Sequence, residues 1–185
     1  MKNLNLSELN GKKKKAIFNV PGILLFLNIL LIAASCAVSL TPRFDQGIID
    51  NLSTTSTEVF QLLSEVSEGT TNADFNKREE QYNQVIGKLE ALALQINARP
   101  VPDNKTVDKI ISKANSSLQK KGTTLISADQ TAPSATALKN VTANVVKMKQ
   151  TDKLQGITAT EALAFKNNIQ LFFDQALTYE RFLNK

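Results

Sequence analysis

Apolar side chains recur every three or four residues along most of the chain after residue 40. This spacing places them on one side of an α-helix, so it predicts a series of amphipathic helices. The pattern occupies five stretches, at about residues 41–69, 73–98, 105–121, 135–153 and 158–182. No stretch shows sustained alternation of apolar and polar residues in a β-branched run, so we expect no sheet.

Several helix boundaries carry signals of their own. Thr41 is a suitable N-cap and Pro42 a favoured first helical residue, so the first helix is predicted to begin there. Gly69 is predicted to end it. The prolines of Arg99-Pro100-Val101-Pro102 are predicted to end the second helix, because each disfavours helix at the residue before it. Thr158-Ala159-Thr160-Glu161 has the spacing of a capping box and is predicted to start the fifth.

Two of these helices carry long stripes that predict the core. On the second helix the stripe consists of Phe75, Arg78, Tyr82, Val85, Leu89, Leu92 and Ile96. On the fifth it consists of Phe165, Ile169, Phe172, Phe173, Ala176, Tyr179 and Phe182. Because the connections between helices are short, neighbouring helices are expected to be antiparallel. The predicted fold is all-α, an up-and-down antiparallel bundle of four or five helices over residues 42–185.

Residues 16–40 have a different pattern, in which apolar residues are nearly continuous rather than confined to one face. Four lysines, Lys12 to Lys15, precede this run and small residues end it, which is the three-part layout of a secretory signal. The run is also long enough to span a bilayer, which needs about 20 residues. The lysines hold the amino terminus on the cytoplasmic side, so the bundle is expected on the other side.

The end of this run, Ile32-Ala33-Ala34-Ser35-Cys36, resembles the lipobox of bacterial lipoprotein precursors. In that family, small residues precede a cysteine that becomes the mature amino terminus. The resemblance implies that residues 1–35 are a cleaved signal peptide, that the Cys36 thiol carries a diacylglyceryl group and that residues 36–41 form a short tether. It also implies a place in the cell envelope. The outer membrane is favoured, because Ala37 is not the aspartate that retains enteric lipoproteins at the inner membrane.

Two alternatives to a lipidated cysteine remain open. Residues 16–40 also fit an uncut signal anchor, since the apolar run continues through Ala37-Val38-Ser39-Leu40. Cleavage by ordinary signal peptidase after Ser35 or Ala37 is the second alternative. All three interpretations place the bundle outside the cytoplasm. The lipidated cysteine would hold the bundle at a membrane through lipid on Cys36, and the uncut anchor would hold it there through residues 16–40.

The residue types present restrict the chemistry of the domain. The sequence has one cysteine, Cys36, and no histidine. With Cys36 used for attachment, disulfides, zinc thiolates and cysteine nucleophiles are excluded, and the lack of histidine excludes Ser-His triads and histidine metal sites. We therefore expect no catalytic residue, metal or cofactor, and interpret the domain as a non-catalytic binding module. A helical ligand-sensing or substrate-binding domain on an uncleaved anchor is the alternative, and a hydrolase built on Ser-Lys or carboxylates is a third hypothesis.

The formal charge of +5 is concentrated at the amino end of the chain. Residues 1–15 have five lysines and one glutamate, and so contribute +4 of this total. A nucleic-acid interface needs basic residues gathered on a folded face. We therefore expect no nucleic-acid partner.

The remainder of the chain is uneven in charge. Residues 41–98 have nine acidic and four basic side chains, a net charge of −5, whereas residues 99–153 have four acidic and ten basic ones, a net charge of +6. Adjacent acidic and basic helices would largely cancel these fields. Alternatively, an exposed patch binds an anionic partner, such as lipid headgroups or an acidic envelope protein. The patch would consist of Lys105, Lys109, Lys113, Lys120 and Lys121.

Overall fold

The structure is a computed structural model that describes residues 44–100, 104–123, 126–127 and 132–184. Within these ranges the chain forms five α-helices and one 3-10 helix, and it contains no strand. The α-helices are α1 (Gln46–Glu65), α2 (Glu79–Asn97), α3 (Asn104–Lys120), α4 (Pro133–Gln155) and α5 (Ala159–Phe182), and the 3-10 helix is Asn72–Lys77. The all-α prediction is confirmed. The predicted signal segment, Cys36 and the tether lie outside the described residues.

Four of the helices form a closed ring. Helices α1 and α4 each pack against both α2 and α5. On α1 and α2, Glu65 accepts a hydrogen bond from Gln81 and Glu58 pairs with Lys88, so the two helices run in opposite directions. The ring is the predicted up-and-down bundle, with α3 inserted in the chain between α2 and α4.

The ring has two ends that differ in their connections. At the first, which we call the turn end, residues 66–78 join α1 to α2 and residues 156–158 join α4 to α5. At the second, the entry end, α1 begins after Asp45 while α2 and α5 finish and α4 starts. The chain therefore enters the bundle from its amino-terminal segment at the entry end.

The interior of the ring is the main core, and it is apolar along its length. Fully buried side chains come from all four helices and include Leu52, Val59, Leu62, Leu89, Leu138, Val141, Val145, Met148 and Ile169. Burying one such side chain is worth roughly 1.5–3 kcal/mol relative to leaving it exposed. The stripe predicted for the second helix faces this core from Phe75 of the 3-10 helix to Ile96 of α2.

Helix α3 lies outside the ring and, among the described helices, packs only against α5. A second, smaller hydrophobic cluster holds it there, built from Val107, Ile110, Ile111, Ala114, Leu118, Ile126 and Tyr179. The partly buried Phe182 and Leu183 flank this cluster. The predicted single stripe on α5 is thus divided between two clusters: Ile169 and Phe173 belong to the main core, whereas Tyr179 and Phe182 support α3.

Three predicted boundaries differ from the structure. Helix α1 ends at Glu65, with Val66 as its C-cap, and not at Gly69. Helix α1 begins later than predicted, because Asp45 is the N-cap and its carboxylate accepts a hydrogen bond from the Gly47 amide at 2.8 Å. The second predicted helix is divided at Arg78, where φ is −112°, into the 3-10 helix and α2. Arg78 turns its side chain inward at this break, to a carboxylate on α4.

The start of α5 agrees with its sequence signal. The Thr158 hydroxyl accepts a hydrogen bond from the Glu161 amide at 3.2 Å, and the Glu161 carboxylate accepts one from the Thr158 amide at 2.9 Å. This reciprocal pair is a capping box, which satisfies two backbone donors at the helix start.

Candidate binding surfaces

A buried ion pair closes the turn end of the bundle. Asp152 of α4 is 0% exposed, and it accepts hydrogen bonds from Nε and Nη2 of Arg78, each at 2.8 Å. The Tyr82 hydroxyl donates to the same carboxylate at 3.2 Å and the Thr70 hydroxyl at 2.5 Å. One carboxylate thereby connects α4 to the start of α2 and to the preceding loop.

The electrostatics of this cluster suit a structural role. The hydrogen bond to Asp152 raises the pKa of the Arg78 guanidinium above its usual value. Burial, and then the negative charge of Asp152, raises the pKa of Tyr82 far above its usual value. At neutral pH both donors keep their protons. The carboxylate is shared among donors from the protein itself, so it does not act as a ligand for a substrate.

Thr70 also joins the two connections at the turn end to each other. Its amide donates to the Ile157 carbonyl at 2.7 Å, and its hydroxyl accepts from the Ile157 amide at 2.8 Å. Gly156 precedes this contact with φ at +81°, and a Cβ there would lie 2.3 Å from the Thr70 carbonyl oxygen. Only glycine fits both the backbone conformation and the close approach.

A second buried ion pair lies at the entry end. Glu180 of α5 is 1% exposed and accepts hydrogen bonds from both terminal nitrogens of Arg99, Nη1 at 2.9 Å and Nη2 at 2.5 Å. The Ser134 hydroxyl at the start of α4 donates to the same carboxylate. This pair fastens the end of α5 to the segment that follows α2 and to α4.

Neither of these two carboxylates is predicted above, although the sequence contains a signal for both. On α4 the buried positions Val141, Val145 and Met148 continue at the same spacing to Asp152. On α5 a buried series ends in the same way, at Glu180. An acidic residue at the next core position requires a buried partner, because an unpaired buried charge is costly.

The five lysines of the predicted patch are all exposed. Lys105, Lys109 and Lys113 follow one another at intervals of four, which offsets successive side chains by about 40° around the helix. Lys120 falls within the same arc, on the side of α3 away from the buried cluster. We call these four residues the lysine face. Lys121 follows the helix and borders a cavity of about 260 Å³ together with Arg181 of α5.

The predicted cancellation of charge occurs on α4 and not on α3. Lys149 and Lys153 of α4 approach Glu79 of α2 at 4.0 and 3.8 Å, and Lys149 also donates to the Asn83 side chain at 2.6 Å. Within the described ranges, the lysine face of α3 has no ion pair. The structure thus separates basic residues that pair with acidic neighbours from basic residues that face outward.

A groove of about 770 Å³ runs along the outside of α1 and α2. Polar side chains line it on α1, including Asn51 and Thr54, and α2 contributes mostly small and apolar ones. Leu94 borders the groove and is 70% exposed. The groove is open to solvent along its length.

Two further properties concern the described residues alone. They include no group of three or more His, Cys, Asp or Glu side chains placed to hold a metal ion. None of their helices has the length and apolar character needed to cross a membrane.

The chain has no match among protein-family models, curated proteins or solved structures.

Proposed function

We propose that the protein is a membrane-tethered lipoprotein of the cell envelope that acts as a non-catalytic binding module. Its binding surface in this proposal is the lysine face of α3. The tether is the amino-terminal segment, attached through lipid on Cys36. The observation that carries the proposal is the outward display of Lys105, Lys109, Lys113 and Lys120 on a helix whose other side is buried.

The buried charges of the domain support a binding role over a catalytic one. Asp152 and Glu180 are the fully buried carboxylates of the described residues. Three residues of the protein donate to Asp152, and two donate to Glu180. Such networks fix helix positions and stay unchanged through a reaction cycle. The surface that remains available for interaction is the exposed one.

Lipid labelling of growing cells, followed by membrane fractionation, tests the tether. The wild-type chain is expected to incorporate labelled fatty acid and to appear in the membrane fraction at its mature length. Cys36→Ala is expected to lose the label and to accumulate as an unprocessed precursor. Ser39→Ala is a matched control nearby and should behave as wild type. An unlabelled wild-type chain that remains full-length in the membrane would instead establish the uncut anchor.

The groove between α1 and α2 favours a second candidate function, that of a helical ligand-sensing or substrate-binding domain. Its volume of about 770 Å³ suits a small molecule. The mixture of Thr54, Gln95 and the exposed Leu94 would suit an amphipathic one. Native mass spectrometry of the full chain tests this candidate. A bound molecule should accompany the wild type and be absent from Ala91→Trp, in which the new side chain fills the groove.

A further inference from the structure

We infer that the partner of the lysine face is the anionic headgroup layer of the membrane that holds the amino-terminal segment. The inference rests on the proposed tether and names the partner of the proposed binding surface. Three observations support it: the length of chain before α1, the end of the bundle at which α3 lies, and the distribution of charge around that end.

The chain before α1 is short. Asp45 is nine positions after Cys36 and five after Leu40. An extended chain spans at most about 3.3–3.6 Å per residue, so the start of α1 lies within roughly 30 Å of a lipidated Cys36. If residues 16–40 instead remain in the bilayer, the limit is about 18 Å. Under both interpretations the membrane attachment is joined to the bundle at its entry end.

Helix α3 lies at this same end. Its cluster includes Tyr179 and Phe182, which belong to the last turns of α5. Between these two residues, Glu180 binds Arg99, just beyond the end of α2. The start of α1 lies beside the end of α2, because Asn51 lines the same groove as α2 residues near its end. The lysine face and the membrane attachment therefore share one end of the molecule.

The charge around α3 is predominantly positive. The lysine face is extended by Lys121 and by Arg181, which border one cavity. Asp108 is the acidic residue of α3 itself, and its negative charge offsets only part of the positive charge of the lysines. Clusters of four to eight basic residues on an amphipathic helix bind anionic lipid headgroups, and each residue contributes attraction that decays within a Debye length of about 8 Å.

The tether makes this weak attraction effective. A linker of this length keeps the lysine face at a local concentration of roughly millimolar order relative to the surface, so a modest intrinsic affinity suffices. A freely diffusing acidic protein would have no such advantage, and it would need no particular end of the bundle. The shared location of tether and lysine face thus favours the membrane as partner.

Lysine acylation of the full-length protein in vesicles tests the inference. The protein is reconstituted into neutral phosphatidylcholine or into an equal mixture with phosphatidylglycerol, and a water-soluble acylating reagent is followed at each lysine by mass spectrometry. Lys105, Lys109 and Lys113 should react at least about fivefold more slowly in anionic vesicles. About 0.5 M salt should abolish the difference, since the Debye length falls to roughly 4 Å. The exposed Lys77, Lys147 and Lys166 lie away from the entry end, so they provide internal controls and should react equally in both lipids.

Charge-reversal variants sharpen the test. The triple variant K105E/K109E/K113E should lose the slower acylation of Lys120 in anionic vesicles. The triple variant K77E/K147E/K166E has the same change in net charge at exposed positions away from the entry end, and should retain it. Hydrogen exchange of α1 and α4 in both variants establishes that the ring is folded.

Flotation of the same samples separates the two proposals. A chain that fails to float with neutral vesicles overturns the tether and with it the proposed function. A chain that floats in both lipids, but whose lysine face reacts equally in both, overturns the membrane as partner and leaves the tether intact. The lysine face could also be protected from acylation in native membranes but not in protein-free anionic vesicles. That result overturns the membrane as partner as well, and identifies an acidic protein instead.

Discussion

Helix α3 and the four-helix ring are attached to the fold in different ways. Each helix of the ring packs against two other helices of the ring, whereas α3 packs against a single helix among those described. The ring is also closed at both ends by buried ion pairs, Arg78 with Asp152 and Arg99 with Glu180. Local opening is governed by how many buried contacts must break together, so α3 should open without the ring.

The two regions also use charge in opposite ways. The ring buries carboxylates and surrounds them with donors, which fixes the helices relative to one another. Helix α3 buries apolar side chains alone and directs its lysines outward. The element proposed to bind is therefore the one with the fewest helical neighbours among the described helices. The following predictions test that difference.

The largest effect is expected from Asp152→Ala. The change leaves Arg78 and the Tyr82 and Thr70 hydroxyls without their shared acceptor at a fully buried site. Breaking a buried pair from one side costs about 3–5 kcal/mol of unfolding free energy. Urea denaturation measures it. The exposed pair of Glu58 and Lys88 gives the control, since Glu58→Gln should cost less than about 1 kcal/mol. Equal losses in the two variants would contradict the assigned role of Asp152.

Matched leucines compare the two clusters directly. Leu89 of the ring and Leu118 of α3 are both 0% exposed. Leu89→Ala should lower the global unfolding free energy by about 2–5 kcal/mol and speed exchange of the most protected amides. Leu118→Ala should speed hydrogen exchange in α3 while the slowest amides of the ring keep their rates. A uniform increase across the whole domain in the Leu118 variant would show that α3 and the ring unfold as one unit.

The two tyrosines of the sequence report on the two regions through their ionisation. Burial, and then the nearby Glu180 carboxylate, raises the pKa of Tyr179 to about 12. A tyrosine ionises near pH 10 when unfolded. The contribution of the buried neutral tyrosine to the free energy of unfolding is therefore fully present below pH 10. It is lost as the pH rises towards 12. Ultraviolet absorbance of phenolate should show Tyr179 ionising first, with Tyr82 following only as the ring unfolds.

Tyr179→Phe should remove the first step of that titration and leave the second. If both tyrosines ionise at the same pH in the wild type, the prediction that the region around α3 opens before the ring is wrong at high pH.

The smallest effect is expected at the start of α5, far from α3. Thr158→Ala removes one half of the capping box and should cost about 1 kcal/mol. The Thr158 amide and hydroxyl hold the pKa of Glu161 below its usual range. NMR titration should show this pKa rising in the variant. Since the change lies in the ring, exchange in the ring should accelerate, while the local opening of α3 stays at its wild-type rate.

Much of this fold could be predicted from the spacing of apolar residues. The five helices, the antiparallel ring and the inward position of Arg78 all follow from the stripes, and the lysine face follows from intervals of four. The spacing could not predict that α3 would leave the ring. Val107 and Ile111 form an apolar stripe as ordinary as those of the other helices, and only the tertiary packing decides which partner covers it.

The buried ion pairs were also beyond the sequence alone. Each joins residues more than seventy positions apart, 74 for Arg78 with Asp152 and 81 for Arg99 with Glu180. Local spacing can mark Asp152 as a core position, but it cannot choose between the basic residues of the chain as its partner. That choice depends on which helix ends meet.

The placement of α3 against the end of α5 has a consequence for the order of folding. On a chain made from its amino end, α3 is complete before any of α4 or α5 exists. Its apolar stripe, from Val107 to Leu118, stays uncovered until Tyr179 and Phe182 have been made. Nascent α3 is therefore an exposed hydrophobic helix while roughly the last third of the chain is made. A holding chaperone would have that interval in which to bind its apolar stripe.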